Sequence, residues 1–220
     1  MLTLADQTLW LLTTLVEAYV VCLFLIQKLF RKFLFLNLYL LLTIFVSIAR
    51  YAVLHGFGYR SQEYGYFYYY SNALLTLSLF ICVCELSQRV VGARAPSRKV
   101  VFWSACAFLA TTWFSFAIAS PSGYRMAASY FLFEFTKNIY VTCCVAVVLL
   151  GVWKLRNDSE DRVAARLVNV LAVYFSLFVL VYSAHQIAPH ASSSLSNLYP
   201  MMGAWLPLGC GFALVSQQKQ

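Results

Sequence analysis

Four ionisable side chains, Glu17, Arg50, Glu134 and Lys137, lie well inside long apolar runs of this 220-residue chain. A charge in hydrocarbon is costly unless it is paired or wetted, so each is a functional candidate by default. Counted from the outer ends of their runs, their depths are roughly 13, 6, 10 and 15 Å at the helical rise. Two acids and two bases can neutralise one another, and Arg50 is long enough to reach down toward Glu17. A pocket in this half of the membrane would use Lys137 for an anionic group, or Glu134 for a cation or proton. Asn138 and Tyr130 would orient the guest.

Polar neighbours extend the set along helical faces. Tyr130, Glu134, Asn138 and Thr142 recur every four residues, with Lys137 beside them. Tyr39, Thr43, Ser47 and Tyr51 form a second stripe flanked by Arg50, while Asn72 with Thr76, and Tyr174, Tyr182, His185 and Gln186, supply two more. The candidate ligand-binding residues are thus Glu17, Arg50, Asn72, Tyr130, Glu134, Lys137, Asn138, Tyr182 and His185. The competing explanation is packing, since buried ion pairs and Tyr, Ser, Thr and Asn side chains also fix which helices meet. Glu85, at the end of its run, reads as interfacial.

The elements that position these residues follow from composition. Hydrophobic residues make up 62% of the chain and charged ones 11%, with a mean hydropathy of +0.73. A soluble domain carries about 25% charged residues and could not hide so much apolar surface. Seven apolar runs, 8–27, 33–54, 66–86, 100–119, 127–150, 163–186 and 195–215, are each long enough to cross about 30 Å of hydrocarbon. Backbone in lipid must satisfy its own hydrogen bonds, so the runs are expected to be helices. The expected fold is an all-α, single-domain bundle of seven transmembrane helices over residues 1–220, in a multi-pass membrane setting.

Charge placement orients it. Lys28, Arg31, Lys32, Arg89, Arg94, Arg98, Lys99, Lys154, Arg156, Arg162, Arg166 and Lys219 fall on one side, and only Arg60 and Arg125 on the other. The basic side is cytoplasmic, which puts the N-terminus outside and the C-terminus in the cytoplasm. Asp158, Ser159, Glu160 and Asp161 supply a cap and first-turn acids for the sixth span. Trp10, Tyr64, Tyr66, Tyr124 and Tyr199 mark the outer interface, and Trp103 and Trp153 the inner one.

Several classes drop out. The net charge of +8 sits in short clusters between spans, which leaves no basic groove for nucleic acid. All seven cysteines lie inside apolar runs, as small hydrophobes do. His55, His185 and His190 with Glu63 could hold zinc, but no spacing demands it, and neither metal nor cofactor is expected. The span count matches microbial rhodopsins, yet the seventh run has no lysine for a Schiff base. Sugar transporters of the 3+1+3 type need prolines that spans one, two, five and six lack. The seven-helix zinc hydrolases need a histidine, serine and aspartate set, and Asp6, Asp158 and Asp161 all lie outside the spans.

A faint internal match remains. Tyr19-x-x-Cys22 parallels Tyr140-x-x-Cys143, Tyr39 to Arg50 parallels Tyr174 to His185, and Ser71-Asn72 parallels Ser196-Asn197. A 3+1+3 duplication of this kind occurs in small transporters. Pro200, Gly203, Pro207, Gly209 and Gly211 make the seventh span either a moving helix or a bent, static one. The leading expectation is a non-enzymatic, sensor-like or receptor-like module that binds a small charged ligand or ion in its outer half. It would signal through cytoplasmic loops to a protein partner. The alternatives are a small-solute or ion transporter, or a structural subunit whose contact face is the Ala-, Ser- and Thr-rich fourth span.

Overall fold

A computed structural model describes residues 4–58, 61–91, 97–120, 127–156, 162–187 and 198–215. Seven helices account for nearly all of them: α1 Leu4–Ile26, α2 Leu34–Phe57, α3 Gln62–Val91, α4 Ser97–Ala119, α5 Ala127–Arg156, α6 Arg162–Ile187 and α7 Leu198–Val215. Each contains most of one expected apolar run; α3 and α5 overshoot theirs by a turn or more. The expected cap at 158–161 lies outside the described residues. The helices α1 to α6 are long and apolar enough to cross a membrane, and α7 carries a shorter apolar stretch, Gly203–Val215. By length and composition the chain is an all-helical, multi-pass membrane protein.

The surface makes the same case. Leu109, Trp113, Phe114 and Phe116 on α4, Leu149 on α5, Leu180 on α6 and Phe212 on α7 are all well exposed. Apolar surface of that extent belongs against lipid. Inside, each helix turns a periodic stripe inward. On α1 it is Glu17, Val20, Val21 and Phe24; on α5 it is Phe135, Ile139, Cys143, Val147 and Leu150.

Packing follows a ring in the order α1, α2, α3, α5, α6, α7 and back to α1. α4 sits outside it, against α5 and α3, and α3 also reaches α6. On α4 the large side chains face outward and the buried positions are Thr111, Ser115 and Ala119. This inverts a soluble helix, because between membrane helices small residues and hydrogen bonds supply the association.

Local devices fix the ends. α1 stops in a left-handed turn at Lys28 (φ 56°), with Leu29 N–H donating to Phe24 O at 2.9 Å and Lys28 N–H to Leu25 O at 3.0 Å. α2 begins at Phe33, which offers no side-chain cap. Glu85 of α3 provides it instead, its two carboxylate oxygens accepting from Leu34 N–H at 3.2 Å and Phe35 N–H at 3.1 Å. Arg89 holds that carboxylate from one turn on, at 3.1 Å. Glu85, expected to be merely interfacial, is a tertiary cap whose negative charge suits a helix N-terminus. α7 runs unbroken through Pro207. A Cβ on its Gly209 would lie 2.5 Å from Val170 Cγ1 of α6, so that glycine permits a close approach.

Candidate functional site

The described candidate residues fall into three places rather than one pocket. At the end of α2 remote from its Glu85-capped start, Arg50 turns toward α3. Its Nε donates to Ser71 Oγ at 2.9 Å and its Nη2 to Tyr68 O at 3.3 Å, and the guanidinium lies 4.5 Å from the Tyr68 ring centre. Ser71 Oγ donates in turn to Tyr68 O at 3.1 Å. The expected reach of Arg50 down to Glu17 is therefore not what the structure has. Its face of the helix looks at α3, and carbonyl, hydroxyl and ring electrons share its charge. Asn72 is half-buried next to Ser71, and its backbone carbonyl accepts from Thr76 Oγ1 at 2.8 Å.

The second place is the seam between α4 and α5. Lys137 Nζ lies 2.6 Å from Glu134 Oε2, an ion pair closed within one helix. Asn138 Nδ2 donates to Ser115 Oγ at 3.0 Å, and the Thr111 and Thr142 hydroxyls share a hydrogen at 2.9 Å. Asn138 and Thr142 thus tie α4 to α5, which is the packing role. Tyr130, a turn away, is 40% exposed. Tyr182 and His185 lie on α6, and their side chains are outside the described residues, as is His190.

The third place is the middle of the ring. Glu17, 8% exposed, is part of the inward stripe of α1, and its Oε2 is buried with no hydrogen-bond partner. Among the described residues no ion pair reaches it. The Thr43 hydroxyl of α2 is within hydrogen-bonding distance of its carboxyl. Thr43 Oγ1 also lies 2.7 Å from Leu40 O, so its single hydroxyl hydrogen is shared between that carbonyl and the carboxyl. One shared hydrogen compensates at most one of the two carboxylate oxygens.

One turn along α2 from Thr43, the Tyr39 hydroxyl bonds that of Tyr174 on α6, which also bonds Tyr140 on α5. All three rings are buried. Phe178 packs flat on Tyr140, with centroids 4.6 Å apart, and 5.0 Å from Tyr174. A chain of hydroxyls thus crosses the ring from α2 to α5 beside Glu17. Tyr39, Thr43 and Tyr174 lie on polar stripes of the sequence but are not among the candidate ligand-binding residues. The signal that could have promoted them is the internal match, which pairs Tyr39 with Tyr174. The matched Tyr19 and Tyr140 differ, the first 60% exposed and the second buried, and Ser196-Asn197 lies outside the described residues.

Among the described residues no cluster of three or more His, Cys, Asp and Glu side chains could hold a metal ion. No family model matches the chain, and neither a similar curated protein nor a similar solved structure was found.

Proposed function

We propose that this chain is a non-enzymatic, sensor-like membrane module that takes up a small cation, a proton included, at Glu17 in the centre of a seven-span bundle. The observation that carries the reading is the Glu17 carboxyl itself, buried in the ring with Oε2 unpartnered and only a shared Thr43 hydroxyl beside it. A proton or small cation at that oxygen satisfies it and compensates the carboxylate, which is otherwise expensive in this setting.

The other span charges do not ask for a guest. Lys137 already covers Glu134, and α3 already covers Arg50. Occupation of Glu17 would be felt by Thr43, then through the Tyr39, Tyr174 and Tyr140 hydroxyls by α6 and α5. Output would pass through the basic loops around Arg89–Lys99 and Lys154–Arg162 to a cytoplasmic protein. α7 serves as the seventh span in this reading: its 18 residues cover about 27 Å, and it closes the ring against α1 and α6. The twelve-to-two distribution of loop Lys and Arg supports an outer N-terminus and a cytoplasmic C-terminus.

The test is thermal unfolding of the purified protein in Na⁺, K⁺, small alkylammonium and proton titrations. One of these is expected to stabilise the wild type by mass action, about 2.7 kcal/mol at a hundredfold excess over Kd. Glu17→Gln, close in shape, should flatten that response. A response undiminished in Glu17→Gln would rule out this site.

A transporter is the second reading, and one observation favours it. Tyr39 and Tyr174, matched positions of the two three-helix halves, touch each other, and the ring order is unchanged when α1–α3 are exchanged for α5–α7. Parallel repeats place such counterparts beside their common axis. Cation-driven solute uptake into proteoliposomes, abolished by Glu17→Gln, would select it over a sensor. The small face of α4, named above for a structural subunit, packs on α5 through Thr111 and Ser115.

A further inference from the structure

We propose that the groove between α3 and α4 is a binding site for one phospholipid with an anionic headgroup. The groove holds about 320 Å³ and is open to the surface, with Leu77, Ile81 and Gln88 of α3 on one wall and Val101, Ser104 and Ala105 of α4 on the other. The Phe80 and Phe108 rings, 5.6 Å apart, also line it. From Leu77 to Gln88 the wall of α3 is about 16 Å long. That is one leaflet of a hydrocarbon core about 30 Å thick.

Charge says which lipid fills it. Apart from Ser104, the polar member of the lining is Gln88, at the end where α3 finishes and α4 begins. Arg98 is three residues before Val101 and seven before Ala105, which puts it on the same face of α4 one turn beyond the groove. Arg98 and its neighbour Lys99 are both exposed. Arg89 is not available in the same way, since Glu85 holds it and its guanidinium lies 5.3 Å from the Phe33 ring centre. A guanidinium at the mouth of an apolar, leaflet-long groove complements a phosphate joined to an acyl chain, and the Lys99 ammonium at the same depth adds to the positive field. No part of this depends on Glu17.

Native mass spectrometry of the full chain, released from detergent with phosphatidylglycerol or phosphatidylcholine of identical acyl chains, tests the proposal. The wild type should retain one phosphatidylglycerol in preference. Basic residues at a membrane surface contribute about fivefold each, so Arg98→Gln with Lys99→Gln should lower that preference about 25-fold. Ala105→Trp, which fills the groove from an exposed position, should reduce retention of both lipids while circular dichroism and the melting temperature stay as in the wild type. If Ala105→Trp unfolds the chain, Val101→Trp from the same wall takes its place. Glycerol phosphate, which carries the headgroup charge without a chain, should not compete. Equal retention of the two lipids by the wild type overturns the proposal. So does an undiminished preference in the double variant, unchanged retention in the folded tryptophan variant, or full competition by glycerol phosphate.

Discussion

The close approach of α7 to α6 gives the sharpest energetic prediction. A methyl group added at Gly209 would stand 2.5 Å from Val170 Cγ1 and 3.2 Å from Cγ2. Carbons at rest sit about 3.5–4.0 Å apart, so roughly 1 Å must be found. Val170 cannot swing away cheaply, because a β-branched side chain on a helix has one strongly preferred rotamer. The helices must part instead, and overpacking of that kind costs about 1–3 kcal/mol. Gly209→Ala should therefore lower stability by that amount in reversible unfolding from mixed micelles. Helix propensity offsets little of it, since a span left in lipid without its neighbours is still helical.

Val170→Ala is expected to cost about 1 kcal/mol alone through lost packing. Combined with Gly209→Ala it should restore stability close to that of Val170→Ala, because the carbons in the way are gone. The coupling should then be about 1–3 kcal/mol. Gly211→Ala is the internal control: its methyl would meet Val20 Cγ2 of α1 at 3.3 Å, a few tenths from comfort. It should cost less than about 1 kcal/mol. Additive losses for Gly209→Ala and Val170→Ala, or a harmless Gly209→Ala, would refute the packing of α7 on α6 described here.

Glu85→Gln should destabilise the protein by about 1–2 kcal/mol, because the amide nitrogen cannot accept from the α2 backbone and the charge at that N-terminus is lost. An unchanged melting temperature would remove the cap from the account. Asn138→Leu should cost about 0.6–1.7 kcal/mol, the range of interhelical polar bonds. It should leave the cation response of the wild type intact; a lost response at full stability would make Asn138 a ligand residue rather than a clasp.

How much of this was legible depended on how local each signal was. The helices were readable because lipid leaves the backbone one solution, and α1 to α6 follow their apolar runs closely. The Glu134–Lys137 pair was readable because three residues on one helix share a face. What crossed from helix to helix was not. Arg50 has the length to reach Glu17, but the rotation of α2 aims it at Ser71 and Tyr68, and only packing sets that rotation. Glu85 looks interfacial by position, since nothing local says that the bare start of α2 will dock against it. The role of α4 was half legible: its Ala, Ser and Thr content marked a contact face, and the structure puts α5 on that face.

The buried charges argue together more strongly than any one of them alone. Glu85 meets Arg89 and two backbone N–H groups, Glu134 meets Lys137, and Arg50 meets a hydroxyl, a carbonyl and a ring. A chain that compensates each of these within one or two turns, or from the next helix, follows the ordinary rule for charge in hydrocarbon. Glu17 breaks that rule: among the described residues no cation meets it, and its Oε2 is buried without a partner. A packing role would be served as well by glutamine, which brings its own donor. What glutamine lacks is a negative charge for a cation to neutralise and a proton to take up and release. Glu17→Gln at wild-type stability, but without the cation response, is therefore the outcome that separates a binding carboxyl from a structural one.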